Sequence, residues 1–186
     1  MNLEAKLKTY IEKLKGQEGY FVRDVSTVDF FAKNPSNEKL ENVRMKVNMI
    51  SDTALSHALS AEDMAKHIYD LKIDIKLKAN DLSLVEDIAH LVVRNEPKSF
   101  LRFASMYCNF HYPDVFPIFS EQHLDLYRNY IAENKLNINP EDLTKYSVFK
   151  TVLDDVLNRF DIKDQLNYYE ARKLSWLYID KIMHEH

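Results

Sequence analysis

An all-α fold, a compact single-domain multi-helix bundle over residues 1–186, is what this sequence predicts, and three observations carry the prediction. Apolar residues recur at three- and four-residue spacing along most of the chain. Polar helix-start residues precede many of these runs. Only two glycines, Gly16 and Gly19, are present to break them. With 46% apolar and 12% aromatic residues, a chain of this length has ample material for a core. It should bury roughly 70% of its unfolded surface.

Taken in order, the elements begin with a helix over about 2–15, with Leu3, Leu7, Tyr10, Ile11 and Leu14 on one face and Gly16 at its end. "STVD", Ser26 to Asp29, reads as the cap of a short helix carrying Phe30 and Phe31. The next stretch is ambiguous. Leu40, Val43, Val47 and Ile50 fit a helix, whereas Val43, Met45, Val47 and Met49 alternate as in a strand. "SAED" at Ser60 to Asp63 starts a helix through Leu71, and "KIDIKLK" (72–78) alternates again, so a two-stranded pairing of 43–49 with 72–78 is the minor possibility. "SLVE" at Ser83 to Glu86 is a capping box opening a helix to about Arg94. Pro97 then opens a core helix, "PKSFLRFASMYCNF", with Lys98 in its first turn, and Pro113 and Pro117 stop it. A helix over 120–133 is expected to use Ser120 as its N-cap. Asn139-Pro140 starts a further segment, and Ser147–Phe160 and Tyr168–His184, with Trp176 in the core, complete the set.

Several function classes fall away on composition. The net charge of −4 argues against a general nucleic-acid binder, and Cys108 is the single cysteine, so neither an intrachain disulfide nor a Cys-based zinc site can form. With so little glycine, phosphate-cradling loops, dinucleotide fingerprints and nucleophile elbows are excluded. The opening "MNLEAKLKTYIEKLKG" is charged and amphipathic, unlike a signal peptide, and no apolar run is long enough for a membrane span, so a cytoplasmic location is expected. The histidines are scattered, and no metal or other cofactor is implied.

The chemistry-bearing residues concentrate between 97 and 128. Lys98 at one helix start is suited to Schiff-base chemistry if desolvated. Ser120 marks a second helix start, and His111 and Tyr112 lie in the turn between. The candidate carboxylates near Ser120 are Asp114 in the turn and Asp125 and Glu121 on the helix, and none of them holds the position of Ser120 itself: Glu121 points about 100° and Asp125 about 140° round the helix.

The text "SFLRFASMYCNFHYPDVFPIFSE" resembles the helix-hairpin-helix DNA glycosylase superfamily, and most closely a bacterial group with "SFASKYCSFHNPD" followed by "YPIYDS". "LKIDIKLKANDLSLVEDIA" upstream and "NYYEARKLSWLYIDKI" downstream look like the same group, so the similarity covers roughly residues 60–186, leaving 1–60 as a helical part without resemblance. The resemblance implies a helical scaffold and recognition of a nucleobase, nucleotide or nucleic acid between helices 98–110 and 120–133, lined by Lys98, His111, Tyr112 and Ser120. The departures are specific. The superfamily's catalytic aspartate aligns with Ser120, its Gly-x-Gly hairpin has no counterpart after Gly19, and Ala171 stands about where the bacterial group has aspartate. A serine can cap a helix as an aspartate does but holds no charge near neutral pH. The expectation is therefore a degenerate, non-catalytic glycosylase-like protein. The alternative is a helical protein–protein interaction module, either a homodimer or a partner in a bacterial defence or toxin system.

Overall fold

The computed structural model describes residues 3–15, 22–55, 59–93 and 96–175. Expectations that fall on Gly16, Gly19, His57, Arg94, Trp176, His184 and His186, and on the side chains of Leu3 and Leu7, lie outside the described residues. The helices run α1 Leu3–Lys15, α2 Val22–Lys33, α3 Leu40–Ala54, α4 Ala61–Asp70, α5 Asp74–Lys78 and α6 Ser83–Ala89. A hairpin of β1 His90–Val93 and β2 Glu96–Ser99 comes next, then α7 Leu101–His111, α8 Leu124–Glu133, α9 Tyr146–Arg159 and α10 over 168–175. The fold is mostly helical with one small antiparallel sheet, and among the described residues no helix is long and apolar enough to cross a membrane.

Helix α7 is the centre. Every residue from Phe103 to Phe110 is buried, and α2, α3 and α6 pack around it. From Phe103 to Phe110 the helix has no solvent face for its polar residues, so they must bond inward. Ser105 Oγ accepts the Phe119 N–H at 2.9 Å and Asn109 Nδ2 donates to the Phe116 carbonyl at 2.6 Å. Tyr146 Oη donates to the Pro117 carbonyl at 2.8 Å. These three bonds let the extended, proline-bearing stretch before Ser120 run through the interior without stranding its backbone, with Phe116, Ile118 and Phe119 all buried.

The ambiguous segments resolve as helix. Residues 43–49 lie in α3, burying Val43, Val47 and Ile50, and 74–78 form α5, so the pairing of 43–49 with 72–78 does not exist. The sheet is elsewhere. Leu91 pairs with Lys98 and Val92 with Pro97, and the Phe100 N–H returns to the Ala89 carbonyl at 2.9 Å. Pro97 therefore lies in a strand rather than at a helix start. A two-stranded sheet tolerates it because one edge of each strand needs no hydrogen bond.

The capping box at Ser83 does not form. The Ser83 N–H donates to Asp81 Oδ1 at 2.9 Å, and Glu86 Oε1 instead accepts the Tyr146 N–H at 3.0 Å, closing the start of α9. Ser26 to Asp29 lies inside α2 rather than before a helix. Ser60 does cap α4, accepting the Asp63 N–H at 3.1 Å, and Asn139 accepts the Glu141 N–H at 3.2 Å, though the segment it opens is a short 3-10 helix. Left-handed backbone positions at Lys72, Asn80, Lys135 and Asp161 (φ 51–57°) are held by non-glycine residues, a direct consequence of the glycine-poor composition.

Among the described residues, two apolar cores result. The larger runs from Phe31 through α3, α4, α6 and α7 to Val152. The smaller joins Ile11 and Leu14 of α1 to Leu157, Ile162, Leu166, Ala171 and Leu174, far along the chain.

Candidate functional site

The candidates predicted from sequence do not converge. Lys98 stands on β2, exposed, with its ammonium 2.7 Å from Glu96, so it is neither in the first turn of α7 nor in a pocket between helices. Asp125 is exposed and ion-paired with Arg128 at 2.7 Å, and Asp114 is exposed in the turn after α7. Tyr112 ends α7, its N–H bonded to the Cys108 carbonyl, and its ring lies 6.4 Å from that of His111. Ser120 occupies the helix-start position in extended backbone but makes no side-chain cap bond. Its carbonyl takes the His123 N–H at 3.2 Å, starting a 3-10 turn at Glu121–His123 that leads into α8.

His111 belongs to a polar cluster built with Lys46 and Asn37, neither of which is among the candidates predicted from sequence. Lys46, on α3, has no exposed surface. Its Nζ donates to the Ser36 carbonyl (3.0 Å) and Asn37 Oδ1 (2.9 Å), lies 3.4 Å from His111 Nε2, and stands over the Phe31 ring. Asn37 is the hub. Its Oδ1 also accepts the Tyr107 hydroxyl (2.6 Å), its Nδ2 donates to Asp74 Oδ1 (2.6 Å), and its backbone N–H donates to the same carboxylate (2.9 Å). His111 Nε2 faces two donors, Lys46 Nζ and Asn37 Nδ2, both at 3.4 Å. It must therefore accept, which places the ring proton on Nδ1 and leaves the imidazole neutral. Burial, reinforced by the Lys46 charge, pushes His111 down to about 3. Burial also brings Lys46 down to about 8, partly opposed by Asp74. An amine of lowered pKa beside a neutral imidazole is chemically capable of proton transfer. No substrate can reach an amine with zero exposure in this conformation, however. What the cluster does is fasten the 34–37 loop, α3, α5 and α7 to one another.

An accessible concavity lies elsewhere, at the seam between the two cores. It holds about 120 Å³. Its apolar wall comes from Tyr127 of α8, Leu153, Val156 and Leu157 of α9, and Ile162. Ile118, Leu126 and Leu174 add to that wall, and Ser120, His123, Ala171, Arg172 and Ser175 also line it. Tyr168 also faces it, with its hydroxyl tied outward to Asp154 and, at 2.5 Å, to Lys150. Burial works against the Asp154 carboxylate, but hydrogen bonds from Lys150, Lys163 and Tyr168 outweigh it and hold the group below its ordinary range. Among the described residues, no aspartate or glutamate lines the cavity.

Residues 6–115 match the HI_0787_N family, described as an N-terminal domain. The chain belongs to this family. An uncharacterized protein of Haemophilus influenzae is 30% identical over 128 residues, covering 67% of this chain and 63% of that protein, so the chain spans less than two thirds of its relative's length. No solved structure matches it. The HI_0787_N span contains the whole polar cluster, from Phe31 to His111. The cavity, lined by residues 118–175, lies past its end. The two features are thus separate in sequence as well as in space. One fastens the family domain internally, and the other is formed by the residues C-terminal to it.

The cluster had a legible signal. Lys46 stands three residues after Val43 and four before Ile50, on the same stripe as Val47, so helical spacing alone puts a lysine on the buried face of α3. The cavity had none, because its walls come from separate segments that only tertiary packing brings together.

Proposed function

We propose that this protein binds a small planar molecule of nucleobase size without catalysing base release. The single observation carrying the proposal is the coincidence of Ser120 and Ala171 at one cavity. These are the two positions at which the glycosylase resemblance expects carboxylates. A glycosidic bond breaks through a cationic sugar that a carboxylate must stabilise, and a hydroxyl and a methyl group supply no such charge. The volume supports a single ring. An apolar cavity of about 150 Å³ accommodates benzene, so about 120 Å³ with one open side suits a pyrimidine better than a purine.

Two measurements test this. Incubation with duplexes carrying deaminated or alkylated bases is expected to release no base, and titration with uracil is expected to shift amide resonances saturably. Base release by the wild-type chain would refute the non-catalytic reading. Identical titrations of wild type and a cavity-filling Ala171→Leu variant would refute the binding reading. The alternative, a protein–protein interaction module, draws on the exposed Ile75 and Val92, which are 82% and 71% accessible. Sedimentation across a hundredfold concentration range checks self-association directly.

A further inference from the structure

Tyr127, in the first turn of α8, is only 6% exposed, and its ring meets that of Phe149 edge-on in the larger core, 5.7 Å between centroids. Among the described residues, nothing hydrogen-bonds to its hydroxyl. A buried tyrosine ordinarily finds a partner for this group, and others in this protein do. Tyr107 bonds to Asn37, Tyr146 to the Pro117 carbonyl and Tyr168 to Asp154. The Tyr127 oxygen is not sealed in the interior either, unlike Asn109 Oδ1, which is fully enclosed and unbonded. For a residue this buried, the open space the oxygen keeps is the cavity that Tyr127 lines. Ser120 lines the same cavity, and among the described residues its hydroxyl has no partner either.

An unbonded hydroxyl on a buried side chain costs stability, and a phenylalanine in its place would relieve the cost. Where such a group borders a cavity, its missing partner is one that enters from outside. From this geometry we infer that the Tyr127 hydroxyl, with that of Ser120, binds an uncharged ring whose rim carries both an N–H and a C=O. Each hydroxyl can donate and accept, so a rim with both kinds of group matches the pair. Neither hydroxyl is charged near neutral pH, and burial pushes Tyr127 further above its ordinary range. What the two read is hydrogen-bonding capacity. The inference rests on the binding reading above and narrows it, because a ring of the same size with a hydrocarbon rim would leave both hydroxyls unbonded.

The experiment is an NMR titration of the full chain with 2-pyridone and toluene, rings of similar size with and without an N–H and C=O on the rim, alongside urea unfolding. Tyr127→Phe deletes the hydroxyl and keeps the ring against Phe149. It is expected to weaken 2-pyridone about three- to tenfold, the worth of one neutral hydrogen bond, and to leave toluene unchanged. Its unfolding midpoint is expected to equal or exceed that of wild type, since no protein contact of the hydroxyl is lost; a structural hydroxyl would instead lower it. Ser120→Ala is expected to weaken 2-pyridone and spare toluene, and sparing both would remove Ser120 from the assignment. Ala171→Leu, or Val156→Phe where that variant folds poorly, is expected to weaken both ligands together. If Tyr127→Phe weakens the two ligands equally, weakens neither, or unfolds earlier than wild type, the Tyr127 assignment is overturned and the binding reading stands. If neither ligand binds the wild type, or the cavity-filling variants change nothing, both are overturned.

Discussion

Acidification should loosen this protein through His111, and the surroundings of the ring set the size of the effect. The groups facing the ring are Lys46 from α3, Asn37 from the loop before it, Phe31 of α2, Tyr107 one turn earlier on α7 and Tyr112 just after it, with Asp74 of α5 behind Asn37. The imidazole must be neutral to accept from Lys46 and Asn37, and its pKa falls from an ordinary 6.5 to about 3 on folding. Because the folded value is depressed, the stability tied to the neutral ring is fully present above pH 6.5 and is lost as pH falls from 6.5 toward 3. At pH 5 the unfolded chain has gained a proton that the folded chain refuses across about 1.5 pH units, worth about 2 kcal/mol. His111 as a residue is half-buried rather than fully buried, and solvent screening reduces this to about 1 kcal/mol. The comparison is His111→Gln, whose amide oxygen can accept from the same donors and does not titrate. Urea unfolding followed by far-ultraviolet circular dichroism at pH 7.5 and pH 5 should show wild type losing about 1 kcal/mol more than the variant. Parallel losses in the two proteins would refute the assignment of a neutral, accepting His111.

Other substitutions probe the remaining contacts. Lys46→Ala removes a fully buried side chain and strips Asn37 Oδ1 and the Ser36 carbonyl of a donor; a loss of about 3 kcal/mol or more in urea unfolding is expected. Glu86→Ala leaves the Tyr146 N–H without its acceptor and should destabilise by about 1 kcal/mol in the same assay, although Glu86 stands far from α9 in sequence. Ser120→Ala should change stability by less than about 0.5 kcal/mol, because the hydroxyl makes no cap bond; a loss of about 1 kcal/mol or more would show that it does. Lys98→Ala should be equally silent, since its ion pair with Glu96 is solvent-exposed.

Much of the helical framework is legible in the sequence because its signal is local. The aromatic run ending at Phe110 announces a buried helix, and Ser60 caps as its spacing predicts, whereas the stripe Val43, Val47, Ile50 competes with a strand-like alternation that only packing decides against. Sequence and structure part where a local signal is outcompeted from a distance. Ser83 and Glu86 have capping-box spacing, yet Glu86 is taken by Tyr146, which approaches through packing of α6 on α9. Pro97 has the look of a first helical residue, but the chain before it pairs as a hairpin and α7 starts at Leu101. The site is less legible still. Ser120 lines the cavity, whereas its neighbours there, His123, Arg172 and Ser175, carry no sequence signature. Order along the chain ties Lys98 to Ser120, but it says nothing about which way a strand carries its side chain.

The smaller core has a consequence for how the chain is made. Ile11 and Leu14 leave the ribosome well before the partners that cover them, Ile162 to Leu174. The larger core can assemble during synthesis, since its members from Phe31 to Val152 all precede that later stretch. Helix α1 must therefore wait with its apolar face uncovered while the rest of the domain takes shape beside it. The same late stretch supplies one side of the cavity, so the cavity is complete only when α1 is covered.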